Sequence, residues 1–141
     1  MAQPNRIAIV TGTSSGIGAA LVDGLLKTGW EVIGIARRAV TRPGGLYHHL
    51  EMDLADGAAL SAAAEEHIIP RLKERHGDES WSRVGLVNNA ATLGDPRGLS
   101  HADPAALQHL FAVNITAPMV LAGVVVRNAP ADAWLRIVNL S

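Results

Sequence analysis

TGTSSGIG, at residues 11–18, joins a β-branched run, RIAIVT (6–11), directly to a helical pattern, GIGAALVDGLLKTG (16–29). A strand that turns at once into a helix through glycines narrows the choice of folds sharply. Gly12 permits a tight turn, Gly16 permits close backbone approach by a phosphate, and Gly18 lets the helix pack on the sheet. The unpaired N–H groups at the helix start then face an anion, and Ser14 and Ser15 add hydroxyl donors. No Gly-Lys-Ser/Thr follows, which sets this loop apart from those that grip a triphosphate with magnesium. A strand before and a helix after mark it as a dinucleotide site.

The remainder keeps the alternation going. Strands are predicted over 31–37, 46–53 and 134–140, and over 83–91, where the strand runs into a small-residue loop. Helices are predicted over 57–77, kinked or broken near Pro70, and over 104–129, with Asp103 as N-cap before Pro104. Pro43, Gly44 and Gly45 make 38–45 a loop. This order predicts an α/β fold: a Rossmann-type, doubly wound parallel sheet with right-handed crossovers, in one domain spanning 1–141.

Composition excludes several classes. Of the 141 residues 48% are hydrophobic and 18% charged, which argues for an ordered core. A net charge of -1 gives no electrostatic case for nucleic acid. The absence of cysteine removes thiolate chemistry and fits a reducing cytoplasm. No run of about 18 apolar residues is read, so no membrane partner is expected. His48 and His49 fall on opposite strand faces and the other histidines lack i,i+4 pairing, so no metal site is expected.

Asn114 stands out inside the last predicted helix. Its carbonyl should accept from the residue four places on, but that residue is Pro118, which has no N–H. NITAP therefore frees a carbonyl and bends the helix.

Taken together, TGTSSGIG, MDLAD (52–56), NNAA (88–91), Asn114 and IVNLS (137–141) resemble, in order and spacing, the motifs of the short-chain dehydrogenase/reductase family. The resemblance covers essentially the whole chain and implies strand order 3-2-1-4-5. It also implies an NAD(P)-dependent oxidoreductase moving hydride between a nicotinamide and a small carbonyl or alcohol substrate. Cofactor contacts would fall on Gly12, Ser14, Ser15, Gly16, Ile17, Gly18, Asp53, Leu54, Asn89, Ala90 and Ala91, with Asp53 meeting the adenine amino group. Ala91 replaces the family's usual glycine. Asn114 would be the tetrad asparagine that ties a water to the active-site lysine. The family uses the 104–129 helix for dimers and tetramers, which implies a homo-oligomer.

Cofactor choice is read from IARRAVTR (35–42). No acidic residue follows the second strand to take a ribose 2′-hydroxyl; Arg37 and Arg38 offer guanidinium forks to a phosphate instead. NADP(H) is favoured over NAD(H), although Ser15 stands where some NADP users of the family carry a basic residue. Arg42 is read as a helper or as mere loop charge.

The family's catalytic Tyr-x-x-x-Lys is not found. The only tyrosine is Tyr47 and the only lysines are Lys27 and Lys73. Alignment on IVNLS puts the family's catalytic serine one position past Ser141. The expectation is therefore the cofactor part of a longer reductase, truncated after the fifth strand, able to bind dinucleotide but not to catalyse. The alternative is a non-catalytic dinucleotide-binding or interaction module at this length.

Overall fold

A computed structural model describes residues 5–141. Strands β1 (Arg6–Thr11), β2 (Glu31–Ala36), β3 (Tyr47–Glu51), β4 (Arg83–Asn88) and β5 (Trp134–Asn139) form one parallel sheet. Its order is β3-β2-β1-β4-β5, as the family resemblance implied. β1 and β2 are buried almost throughout, as central parallel strands covered on both faces must be. β3 is the more polar edge strand expected.

Alternation divides the core in two. Ile7, Ile9, Ile33, Ile35 and Leu86 face helix α2 (57–72) and helix α3 (Pro104–Asn128). Ala8, Val10 and Val32 face Val22 of helix α1 (Gly16–Lys27). Each fully buried isoleucine contributes about 1.5–3 kcal/mol of transfer free energy. Gly29, at φ 79°, closes α1 as a glycine just past a helix end does.

Two prolines reshape the helices. In α2, Ala64–Ile68 is a π-turn in which the N–H of Ile69 reaches the carbonyl of Ala64, immediately before Pro70. In α3, Ala112–Thr116 does the same, Ala117 N–H meeting Ala112, immediately before Pro118. A proline ring crowds the carbonyl four residues earlier, and widening the turn by one residue makes room. The bend expected at Asn114 is thus a π-turn inside a continuous helix.

Two predicted limits move by more than two residues. The helix expected over 57–77 ends at Leu72, because the buried Trp81 donates its indole N–H to the carbonyl of Arg71 at 2.7 Å. β4 ends at Asn88 because the next two amides have another partner, described below.

α3 also departs from the reading that no stretch could span a bilayer. It is 25 residues long and its most apolar 18-residue stretch has mean hydropathy 1.9, enough by length and composition to cross a membrane. Asn114 and Thr116 interrupt its apolar run without adding charge, so the average stays high. Ala117, Leu121, Val124 and Val125 are buried against the sheet side of the core, and 28% of the apolar stretch is buried in all.

One buried charge lies under the sheet edge. Glu31, 2% exposed, accepts from Arg71 Nε, and His48 Nε2 lies 3.2 Å from the same carboxylate oxygen. The Glu31 hydrogen bond raises the Arg71 guanidinium above its ordinary pKa. Removing one partner of a buried pair strands the other, but Arg71 is 30% exposed and water softens the loss. Glu31→Gln is expected to lower stability by about 2 kcal/mol, read from the urea unfolding midpoint. An unchanged midpoint would mean the pair contributes nothing.

Candidate nucleotide site

The C-terminal ends of β1, β2, β3 and β4 lie along one sheet edge, and the loops that leave them enclose a cleft of about 320 Å³. This is the edge where parallel sheets of this kind hold ligands. The first loop contributes Gly12, Ser14 and Ser15, and the second Arg37 and Arg38. The third contributes Asp53 and Leu54, and the fourth Asn89, Ala90 and Ala91. Gly16, Ile17 and Gly18 do not line the cleft; they form the first turn of α1 beside it, with Ile17 70% exposed.

The glycine loop is locked to β4. Thr11 Oγ1, 2% exposed, accepts from the backbone N–H of Asn89 at 3.0 Å and of Ala90 at 2.9 Å. In return, Asn89 Nδ2 donates to the carbonyls of Thr11 at 3.1 Å and Gly12 at 3.2 Å. Gly12 adopts φ 73°, and a Cβ there would lie 2.8 Å from Asn89 Nδ2. A Cβ on Gly18 would collide with the Gly12 carbonyl. Gly16 is different: at φ 59° with nothing within 4 Å, it leaves open the approach expected of a phosphate.

Helix caps sharpen the contrast. Asp56 accepts from Ala59 N–H and Asp103 from Ala106 N–H, each at 3.0 Å, so α2 and α3 carry their own carboxylates. At α1 the N-cap Ser15 makes no side-chain cap bond, and no acidic residue occupies the first turn. Its amides are free for an external anion. Asp53 Oδ1 takes the Ala55 N–H at 2.9 Å in a local turn; the other oxygen has no hydrogen bond among the described residues. Arg37 and Arg38 are exposed and form no ion pair among the described residues.

Asn114 stands behind the cleft wall. Its Oδ1 accepts from Thr92 N–H and its Nδ2 donates to the Thr92 carbonyl, both at 2.8 Å. The side chain thus clamps the loop after β4. Thr92, His109 and Val113 also line the cleft and were missed in the sequence; His109 and Val113 share a helix face by their i,i+4 spacing, the one signal available. Thr11 was missed because a threonine at a strand end reads only as a β-former. No cluster of His, Asp and Glu suited to a metal occurs among the described residues.

Thr11→Val keeps the shape but leaves two enclosed amides without their acceptor. It is expected to lower stability by about 2 kcal/mol and to weaken nucleotide binding, measured by chemical denaturation and fluorescence titration.

Comparison with known proteins adds the relatives. The family model described as short chain dehydrogenase matches residues 6–141. L-xylo-3-hexulose reductase from Hypocrea jecorina is 29% identical over 100% of this chain and 54% of its own length. Benzil reductase from Bacillus cereus is 30% identical over 96% of this chain and 56% of its own. The chain spans about half the length of these curated relatives. A short-chain dehydrogenase/reductase from Burkholderia vietnamiensis superimposes with TM-score 0.83 at 31% identity, over 99% of this chain and 64% of that one. A metagenomic short-chain oxidoreductase in complex with NADP gives TM-score 0.74 at 28% identity, over 97% and 62%. A Brucella ovis oxidoreductase with partially ordered NAD gives 0.70 at 29%, over 87% and 57%.

Proposed function

The chain belongs to the short-chain dehydrogenase family, and from that premise we propose that it forms the nucleotide-binding part of an NADP(H)-dependent oxidoreductase acting on a small carbonyl or alcohol. The observation that carries the cofactor choice is the pair Arg37 and Arg38, without an ion pair among the described residues and lining the cleft at the end of β2. Related structures hold NADP in one case and NAD in another, so the family alone leaves the choice open. Two exposed guanidinium forks that form no ion pair among the described residues suit a 2′-phosphate.

The residues fit such a cofactor. Amides around Gly12–Gly18, with the hydroxyls of Ser14 and Ser15, would hold the diphosphate at the uncapped start of α1. Asp53 and Leu54 would hold the adenine, and Asn89, Ala90 and Ala91 the chain that runs beside the nucleotide. A bound nicotinamide supplies or accepts the hydride. Asn114 would position that end: its side chain fixes Thr92, and Pro118 leaves its carbonyl without the i+4 donor, open to a catalytic water. A non-catalytic module is the second reading, favoured by the placement of Tyr47, whose hydroxyl is engaged with Thr13 and His49 in β3. NADPH-dependent reduction of aldehydes and ketones by the full-length protein separates the two.

Arg37→Asp with Arg38→Asp is expected to weaken NADPH by roughly thirtyfold, about 2 kcal/mol, and to spare NADH. Indistinguishable affinities for the two nucleotides in the unaltered protein would overturn the cofactor choice.

The family's homo-oligomeric habit has a candidate surface here. Leu107, Phe111, Ile115 and Met119 form an exposed stripe at four-residue spacing along α3. A dimer or tetramer is expected in sedimentation, with Phe111→Asp shifting it toward monomer; a monomer at all concentrations would exclude the contact.

A further inference from the structure

The loop from 37 to 46 carries both cleft arginines and has no regular structure, with Gly44 at φ 97° and Gly45 at φ 77°. Among the described residues, one side chain in it hydrogen-bonds outside the loop. Arg42 Nε donates to Asp23 Oδ1 of α1 at 2.7 Å, and its guanidinium carbon lies 5.7 Å from the Tyr47 ring centroid. Arg42 is 19% exposed and does not line the cleft, unlike Arg37 and Arg38. Tyr47 is itself seated: Gly34 has no side chain where a Cβ would strike the phenol, and the hydroxyl meets the fully buried Thr13 Oγ1 at 3.1 Å. Thr13 belongs to the glycine loop. Arg42 therefore ties the arginine loop to α1, and through Tyr47 to the loop expected to hold the diphosphate.

We propose that Arg42, held by Asp23 and Tyr47, is a positioning residue for cofactor choice: it presets the loop so that Arg37 and Arg38 already stand over the 2′ position. The proposal rests on the NADP(H) reading above. Its physical basis is ordering. A loop of ten residues with two left-handed glycines loses conformational freedom when its arginines close on a phosphate. A loop already held at Arg42 loses less, and the difference appears only when the phosphate is there to be gripped. Arg42 is not the phosphate ligand itself, because its Nε is engaged by a carboxylate and its face by an aromatic ring. An exposed ion pair alone is weak and screened by salt; the stack on Tyr47 adds to it.

The test is the dissociation constant of the full-length protein for NADPH and for NADH, by fluorescence titration at low ionic strength. Asp23→Asn and Arg42→Leu are each expected to weaken NADPH about three- to tenfold while NADH stays within about twofold. Asp23→Glu and Arg42→Lys, which keep the charges, should hold the ratio near that of the unaltered protein, and Asp23→Asn carries the test if Arg42→Leu fails to fold. Tighter NADPH binding in Asp23→Asn would overturn the proposal by showing Arg42 released to the phosphate. Equal loss for both nucleotides would overturn it as a merely structural tie. If the unaltered protein prefers NADPH, and Arg37→Asp abolishes that preference while Asp23→Asn and Arg42→Leu leave the ratio intact, only the latch falls. If the unaltered protein shows no preference, the cofactor reading and the latch fall together.

Discussion

The reciprocal bond between Thr11 and Asn89 is the joint on which the site depends. Parallel strands β1 and β4 are paired up to Val10 and Val87, and there the ladder stops. One hydroxyl and one carboxamide take over, making four hydrogen bonds between the strand ends. In a buried setting each bond left unmade costs about 1–3 kcal/mol, so the two loops are set as one piece. The glycines follow from this: Gly12 and Gly18 are small because the Asn89 amide and the Gly12 carbonyl occupy the space a side chain would need. The open mouth of α1 follows in turn, because its first turn is fixed against that same joint.

Charge is arranged around this joint in a consistent way. Several carboxylates have a local partner: Asp56 and Asp103 cap helices, Asp23 holds Arg42, and Glu31 holds Arg71. Farther out, Arg97 holds the Asp95 carboxyl below the usual carboxylate range on the loop after β4. Among the described residues, Arg37 and Arg38 line the cleft without an ion pair. With the uncapped amides of α1 they give that edge a positive character which the net charge of -1 conceals.

The two π-turns show how a local covalent fact propagates. Pro70 and Pro118 each widen the turn ahead of them. In α3 the widened turn contains Asn114, whose side chain clamps Thr92 and with it the loop that closes the cleft. In α2 the widened turn precedes Arg71, which reaches Glu31 under the sheet edge. The same backbone device serves a site wall in one helix and a buried ion pair in the other.

Much of this was legible in the residues alone. Periodicity gave five strands and three helices, and the glycine spacing gave the turn from β1 into α1, because backbone conformation and amphipathic pattern are local properties. The same holds for Pro118 and the carbonyl it frees. What only the tertiary structure decided were contacts between residues far apart in the chain. Thr11 meeting Asn89, Arg42 turning to Asp23 and Tyr47, Trp81 ending α2, and the helix face of His109 and Val113 reaching the cleft all require the strands to be placed side by side. A side chain's partner across the sheet is set by packing and register, and no local pattern encodes it.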